Sequence, residues 1–225
     1  AALLMTFDTF HFAQTRMGTV DSFLVLFMML SAYFMYKYLL LDKYDSIKPK
    51  LKNLALSGLF VGLAICVKWT GLYLGLGLCI VFFAKLIHDI WKDRKLSKQY
   101  IQILLWCCVF FVVVPIVIYV LSYFLFPNVY PNEVKTFSDL FRQIQGMFDY
   151  HSNLEATHPF TSKWYTWPIM LKPVWYYVSY PLEGFKSTIV GIGNPAIWWV
   201  GILGFLYVLI RGIRSKRREY LFLVV

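Results

Sequence analysis

Two cations stand where a strongly apolar sequence has little reason to place them. Arg16 lies in His11-Phe-Ala-Gln-Thr-Arg16-Met-Gly-Thr-Val-Asp21-Ser22, just ahead of a long apolar run. Lys68 interrupts another run at Val67-Lys68-Trp69-Thr70-Gly71. A guanidinium can grip a phosphate through two parallel hydrogen bonds, and an ammonium adds a compact point charge. Facing one cavity, the pair would hold a lipid phosphate and stabilise the charge that builds on it as a glycosyl bond breaks. Plainer readings stand beside this one. Asp21 and Ser22 suit the first turn of the following helix, where unpaired amides and the helix dipole favour them. Lys68 suits a side chain that snorkels from a helix end to the interface. Arg16 is harder to dismiss, because a cation at the N-terminus of that following helix is electrostatically unfavourable.

A second group lies further on, in His158-Pro-Phe-Thr-Ser162-Lys-Trp164-Tyr-Thr-Trp167-Pro168, followed by Trp175-Tyr-Tyr, Gly193-Asn194-Pro195 and Trp198-Trp199. Ring faces stack on sugars while polar tips donate hydrogen bonds, so His158, Ser162, Trp164, Trp167 and Asn194 are candidates for contacting substrate. An aromatic belt at headgroup depth accounts for the rings equally simply. Asn194 and Pro195 also read as the N-cap and first residue of a helix.

The elements that position these groups are membrane helices. The chain has 225 residues, 59% of them hydrophobic and 15% charged, a balance that a water-soluble fold rarely reaches. Clear crossings are expected at 20–41, 101–126 and 195–210, apolar all round and long enough for a hydrocarbon core about 30 Å thick. The run from Leu54 to Leu86, with Lys68 inside it, would reach roughly 50 Å as one helix. It is therefore expected to form two short crossings with a break near Lys68-Trp69-Thr70-Gly71. The predicted fold is an all-α integral membrane bundle of about five crossings, without strands, since the segments lack the alternation of a barrel. Residues 1–126 would form a transmembrane part carrying the cationic motifs. Residues 127–194 would form an external loop, and residues 195–225 a last helix, a basic loop and the start of a further helix. Within the loop, Phe137, Leu140, Phe141, Ile144, Met147 and Phe148 recur at helical spacing, as expected of a helix lying in the interface.

Basic residues cluster around 37–52, 85–98 and 211–218, fifteen of the 22 in the chain, and by the positive-inside rule these loops face the cytoplasm. Arg16, Lys68 and the long loop then share the external side. A formal charge of +10 split over short loops beside apolar helices marks topology and not nucleic-acid binding. Cys66, Cys79, Cys107 and Cys108 all lie inside apolar runs and form no metal motif or disulfide framework. The start has no basic region of the kind that opens a signal peptide, and the chain reads as a piece of a longer protein.

Taken in order, Gln14-Thr15-Arg16 with Asp21, Gly62 to Gly71 around Lys68, His158-Pro-Phe-Thr-Ser162-Lys-Trp164 with Trp167-Pro168, and Gly193-Asn194-Pro195 resemble the protein O-mannosyltransferases. The resemblance spans most of the chain. It implies a C-type glycosyltransferase that moves mannose from a dolichyl or other polyprenyl phosphate to Ser or Thr hydroxyls of secreted proteins, with no cofactor besides the lipid-linked donor. It also implies that Arg16 is the family's essential arginine near the donor phosphate, which makes Arg16 and Asp21 the catalytic candidates of this chain, with Lys68 and His158 at motif positions. Two departures stand out. The family's acidic pair, which activates the acceptor hydroxyl, has no counterpart before Arg16 and is expected upstream, and the β-trefoil insertion of eukaryotic members is missing, which implies a bacterial member. The alternatives are a related transferase acting on a lipid or glycan, an assembly subunit, and a transporter. The last would want charged or broken helices near the midplane, whereas the ionisable groups here gather at one face.

Overall fold

The computed structural model describes residues 2–95, 97–125, 134–155, 160–215, 220 and 222–223. Helices α1 (Ala2–Thr6) and α2 (Thr9–Arg16) precede the apolar helices α3 (Asp21–Leu40), α4 (Ile47–Val67), α5 (Gly71–Asp93) and α6 (Lys98–Cys108). The last of these continues through a π turn (Val109–Val113) into α7 (Val114–Leu125). After α8 (Phe137–Ser152) come a 3₁₀ turn (Trp164–Thr166), strands β1 (Val174–Leu182) and β2 (Phe185–Gly191), and α9 (Pro195–Ser215). Five of these segments, Asp21–Leu40, Ile47–Val67, Gly71–Lys92, Lys98–Leu125 and Pro195–Ser215, are long and apolar enough to cross a bilayer. The protein is thus a multi-pass, mainly helical membrane protein, as the sequence predicts. It divides into two compact units, Ala1–Ser22 with Thr157–Val224, and Phe23–Ala156.

In the second unit α4 is the central helix, packed on α5, α6, the π turn and α7. Lipid tails give apolar faces no reason to pair, so close backbone approach and interhelical hydrogen bonds must hold such helices together. Both are present. Ser31 and Ser57 are fully buried and each hydroxyl donates to the other's carbonyl, at 2.9 and 3.0 Å, which joins α3 to α4. Gly58 and Gly62 sit one turn apart and let α4 touch the backbone of the neighbouring helix. A Cβ at Gly62 would lie 3.0 Å from the Pro115 Cα, and one at Gly58 would overlap the Phe110 carbonyl. Pro115 also explains the π turn: its ring displaces the carbonyl four residues earlier and it has no N–H to donate, so the preceding turn widens.

The break at Lys68 falls where the sequence places it, and Lys68 closes α4 in an extended conformation (φ −161°, ψ 139°). The two flanking helices are not short, however. They have 21 and 23 residues, because α4 starts at Ile47 and α5 runs on to Asp93 through charged flanks. The same extension changes the reading of two lysines. Lys85 is buried on α5, paired with Asp89 one turn on at 3.1 Å and donating to the Leu41 carbonyl, while Lys50 donates to the Lys43 carbonyl at 2.7 Å. Both secure the α3–α4 connection and add little to the open positive charge of the loops.

Helix α8 forms as the hydrophobic spacing predicts. Thr136 and Asp139 make a reciprocal capping box: the Asp139 amide donates to the Thr136 hydroxyl at 3.2 Å, and the Thr136 amide donates to the Asp139 carboxylate at 2.9 Å. The Thr136 hydroxyl first, then the Thr136 and Lys135 amides, hold the Asp139 carboxyl below its ordinary value. A group whose folded pKa is lowered stabilises the fold above its unfolded pKa and loses that contribution as pH falls through the folded value. The first turn of α8 is therefore expected to be protected at neutral pH and to fray in acid, below pH ~4. Amide exchange at Leu140 measured across that range, with Asp139→Asn for comparison, checks this.

In the first unit a β-hairpin stands where no strand was expected. β1 and β2 pair antiparallel across Glu183-Gly184, and Gly184 supplies the left-handed turn residue (φ 79°). Pro181 lies inside β1, where the register shifts between Ser179 and Leu182, the kind of irregularity that tolerates a residue without an N–H.

Candidate functional site

The first unit is organised around Asp8. Its side chain N-caps α2 by accepting from the His11 amide at 3.2 Å. Its other oxygen accepts from the Asn194 amide and the Trp198 indole, both at 3.1 Å. One buried carboxylate thus joins the start of α2 to the start of α9. Phe10 reinforces the joint edge-on against Trp198, with ring centroids 6.0 Å apart, and the Thr9 hydroxyl donates to the Ile192 carbonyl at 2.5 Å. Asn194 caps α9 by accepting from the Ala196 amide at 3.1 Å and donates to the Phe7 carbonyl at 3.3 Å.

These contacts fix the helix that ends in Arg16. The sequence suggested a cation at a helix N-terminus, but Arg16 is the last residue of α2, where the carbonyl end of the dipole favours positive charge. Its guanidinium is exposed and lies 4.8 Å from the centre of the Phe12 ring. Asp21 opens α3, and Gln14 bridges the two helices: its amide nitrogen donates to the Asp21 carboxylate at 3.0 Å, and its amide oxygen accepts from the Tyr176 hydroxyl. Desolvation, and secondarily the Asp21 charge, raise the Tyr176 pKa, so the phenol stays protonated and remains the donor in this relay. The hairpin thereby braces the Gln14-Thr15-Arg16 segment through a side chain of β1.

Among the aromatic candidates, the Trp167 indole donates to the Ser162 hydroxyl at 3.0 Å, and Trp164 packs edge-on against Tyr165 with centroids 5.8 Å apart. Trp164 and Trp167 keep 74% and 59% of their surface exposed, so their rings remain open to a ligand. His158 lies outside the described residues.

Lys68 belongs to the second unit. It lines a chamber of about 560 Å³ with Trp69, Tyr73, Tyr119, Tyr123 and His151. The Trp69 indole donates to the Tyr119 hydroxyl at 3.0 Å, and the Tyr119 and Tyr123 hydroxyls lie 3.1 Å apart. Tyr123 reaches the Met147 sulfur at 3.8 Å, and the His151 ring is tilted against Trp69 at 6.4 Å. No acidic residue lines this chamber among the described residues. Sequence reasoning missed Asp8, Gln14 as a bridge, Tyr176 and His151. The available signals were slight: an acid three residues before His11, and two tyrosines one helical turn apart in an otherwise apolar run.

Asp8→Ala should leave the part-buried Asn194 amide and Trp198 indole without their acceptor, at a cost of about 1 kcal/mol or somewhat more. Thermal unfolding of the detergent-solubilised protein measures it, and Asp8→Asn, which keeps one acceptor oxygen, should lose less.

Five helices long and apolar enough to cross a bilayer define the class, a multi-pass membrane protein. Residues 1–130 match the dolichyl-phosphate-mannose-protein mannosyltransferase family, and residues 136–223 match the C-terminal four-transmembrane region of protein O-mannosyltransferase. The chain belongs to the protein O-mannosyltransferase family. It is 24% identical over 260 residues to polyprenol-phosphate-mannose–protein mannosyltransferases from two strains of Mycolicibacterium smegmatis, an alignment covering 90% of this chain and 48% of each relative. The chain thus spans about half the length of the curated relatives it matches. No solved structure gives a significant match.

Proposed function

We propose that this chain is the donor-phosphate-binding portion of an enzyme that transfers mannose from a polyprenyl phosphate to Ser or Thr hydroxyls of secreted proteins. Transfer proceeds with inversion, on the extracytoplasmic face of a bacterial plasma membrane. The observation that carries the reading is the bracing of the Arg16 segment by Asp8 and by the Tyr176–Gln14–Asp21 relay, in a chain whose family transfers mannose from lipid phosphates. A guanidinium held this way is preorganised for the charge that grows on the leaving phosphate, and it needs no reorganisation at the moment of transfer.

The roles divide by chemistry. Arg16 takes phosphate oxygens in two-pronged fashion, and Lys68, within its own unit, is a second candidate for an anionic group. Asp21 orients the Arg16 segment through Gln14. His158, Ser162, Trp164 and Trp167 contribute to the sugar and acceptor surface, and Asn194 frames it from the start of α9. Asp8 is poorly suited to be the base, because both of its oxygens already accept hydrogen bonds. A carboxylate outside these residues takes the acceptor proton. The basic loops at 42–52, 88–100 and 211–219 face the cytoplasm. A cysteine placed at Lys95 should therefore resist an impermeant reagent on intact cells, and labelling there would reverse the topology.

The full-length protein, purified in lipid nanodiscs, should transfer mannose from polyprenyl phosphate mannose to a Ser/Thr-containing peptide and give a product of the opposite anomeric configuration to the donor. Transfer to a lipid or glycan with none to peptide would favour the related transferase. No transfer to any acceptor would overturn the reading.

A further inference from the structure

The hairpin of the first unit has two unlike faces. One packs on α2, since a Cβ added at Gly191 would meet the Tyr176 ring at 2.7 Å and the Phe10 ring at 3.1 Å. Val190 and Thr188 point to the other side, and their cross-strand partners Trp175 and Val178 go with them. Trp175, Val178 and Val190 all remain exposed there. Phe160 stands edge-on to Trp175, with ring centroids 5.4 Å apart. The Lys172 ammonium lies 5.4 Å from the centre of the Phe160 ring and donates to the Thr161 carbonyl at 3.1 Å, and the Lys186 ammonium lies 4.2 Å from the centre of the Trp175 ring. Lys186 follows the turn, so its side chain runs back toward the root of the hairpin to reach Trp175. The same root leads into the membrane: β2 ends at Gly191 and the membrane-crossing helix α9 begins at Pro195, a separation of at most about 14 Å.

We propose that this root cluster, Phe160, Trp175, Lys172 and Lys186, docks on the headgroups of anionic phospholipids in the surrounding bilayer. A two-stranded hairpin is marginal in water, and an exposed apolar face on it calls for a cover. The short tie to α9 sets the depth of that face, and the first turn of α9 carries Trp198 and the exposed Trp199, indoles that favour the headgroup layer. The cover available at that depth is lipid. Charge points the same way, because residues 160–194 hold Lys163, Lys172 and Lys186 against one acid, Glu183 at the turn. Contact with the rings keeps two of these ammoniums on the face, where lipid phosphates can meet them while the rings meet the acyl boundary. The opposite face carries Tyr176, whose hydroxyl donates to Gln14, so lipid held on one side supports the strand that braces the Arg16 segment on the other. The inference needs neither a sugar donor nor an acceptor and goes beyond the transfer reaction.

The test places the photocrosslinker p-benzoylphenylalanine at Val178, or at the exposed Thr188 as a second site on the same face, in the full-length protein. The protein is held in nanodiscs of equal phosphatidylcholine and phosphatidylglycerol, and the adducts are identified by mass spectrometry. Phosphatidylglycerol adducts should exceed phosphatidylcholine adducts about fivefold or more, roughly what one lysine near an anionic surface contributes. Lys172→Gln with Lys186→Gln should bring the two lipids to parity, whereas Lys163→Gln, whose ammonium lies over Tyr165, should keep most of the preference. Adducts to protein segments in place of lipid would show that another part of the polypeptide or a partner covers the face, and would overturn the proposal. A preference that survives the double substitution would do the same. So would loss of the phosphatidylglycerol adduct on adding stoichiometric polyprenyl phosphate, which would make the cluster part of the donor site.

Discussion

Arg16→Ala in the full-length enzyme is expected to lower mannosyl transfer about 100- to 1000-fold, the usual consequence of losing one preorganised donor aimed at developing charge. The loss should fall on turnover more than on folding, because the Arg16 guanidinium is exposed and lies over the Phe12 ring. Arg16→Lys should recover only part of the rate, since it keeps the charge and loses the fork that meets two phosphate oxygens. Transfer rates at equal membrane abundance check both, with Lys163→Ala as the comparison for a nearby surface cation. Gln14→Ala should fall between them, because it removes the bridge to Asp21 and Tyr176 while leaving the guanidinium in place.

The second large effect is structural. Gly58→Leu is expected to prevent α4 from packing on the π turn, because its Cβ would occupy the place of the Phe110 carbonyl oxygen. The obstacle is backbone on both sides, so no rotamer change relieves it. Overpacking of this kind costs about 1–3 kcal/mol or more, a large share of a stability that is typically only about 5–15 kcal/mol. Purified Gly58→Leu should elute as aggregate where the wild type is monodisperse. Gly62→Ala, facing Pro115 at 3.0 Å, should be milder, and Gly77→Ala, which meets nothing within 4 Å, should be neutral.

The contrast between these glycines shows what the sequence carried and what it concealed. The spans were legible because uninterrupted apolar runs have one economical structure in a bilayer, and α8 was legible because its apolar residues recur on one face. The hairpin was not. Trp175, Tyr177, Val178 and Tyr180 are apolar or aromatic on both faces of β1, so the alternation that marks a half-buried strand is absent and the rings resemble an interfacial belt. Helices α4 and α5 extend beyond the apolar run from Leu54 to Leu86 because charged residues can be carried inside helices, as Lys50 and Lys85 are by loop carbonyls and Asp89.

The candidate site divides in the same way. Arg16 and Lys68 stood out as charges in apolar surroundings, but the residues that hold the Arg16 segment did not, since hydrogen bonds such as Asp8 to Asn194 and Trp198 join positions more than 180 residues apart. Nothing in local spacing encodes that pairing. Gln14 was visible as part of a motif, but its function as a bridge emerges only once Tyr176 is folded against it.

The central claim is that the Arg16 guanidinium meets the phosphate of the donor, and the direct measurement is the affinity of full-length wild type, Arg16→Lys and Arg16→Ala for polyprenyl phosphate and for the uncharged polyprenol. Wild type should bind the phosphate more tightly than the alcohol, and each substitution should narrow that difference while leaving polyprenol binding unchanged. Variants that discriminate phosphate from alcohol as strongly as the wild type would contradict the account.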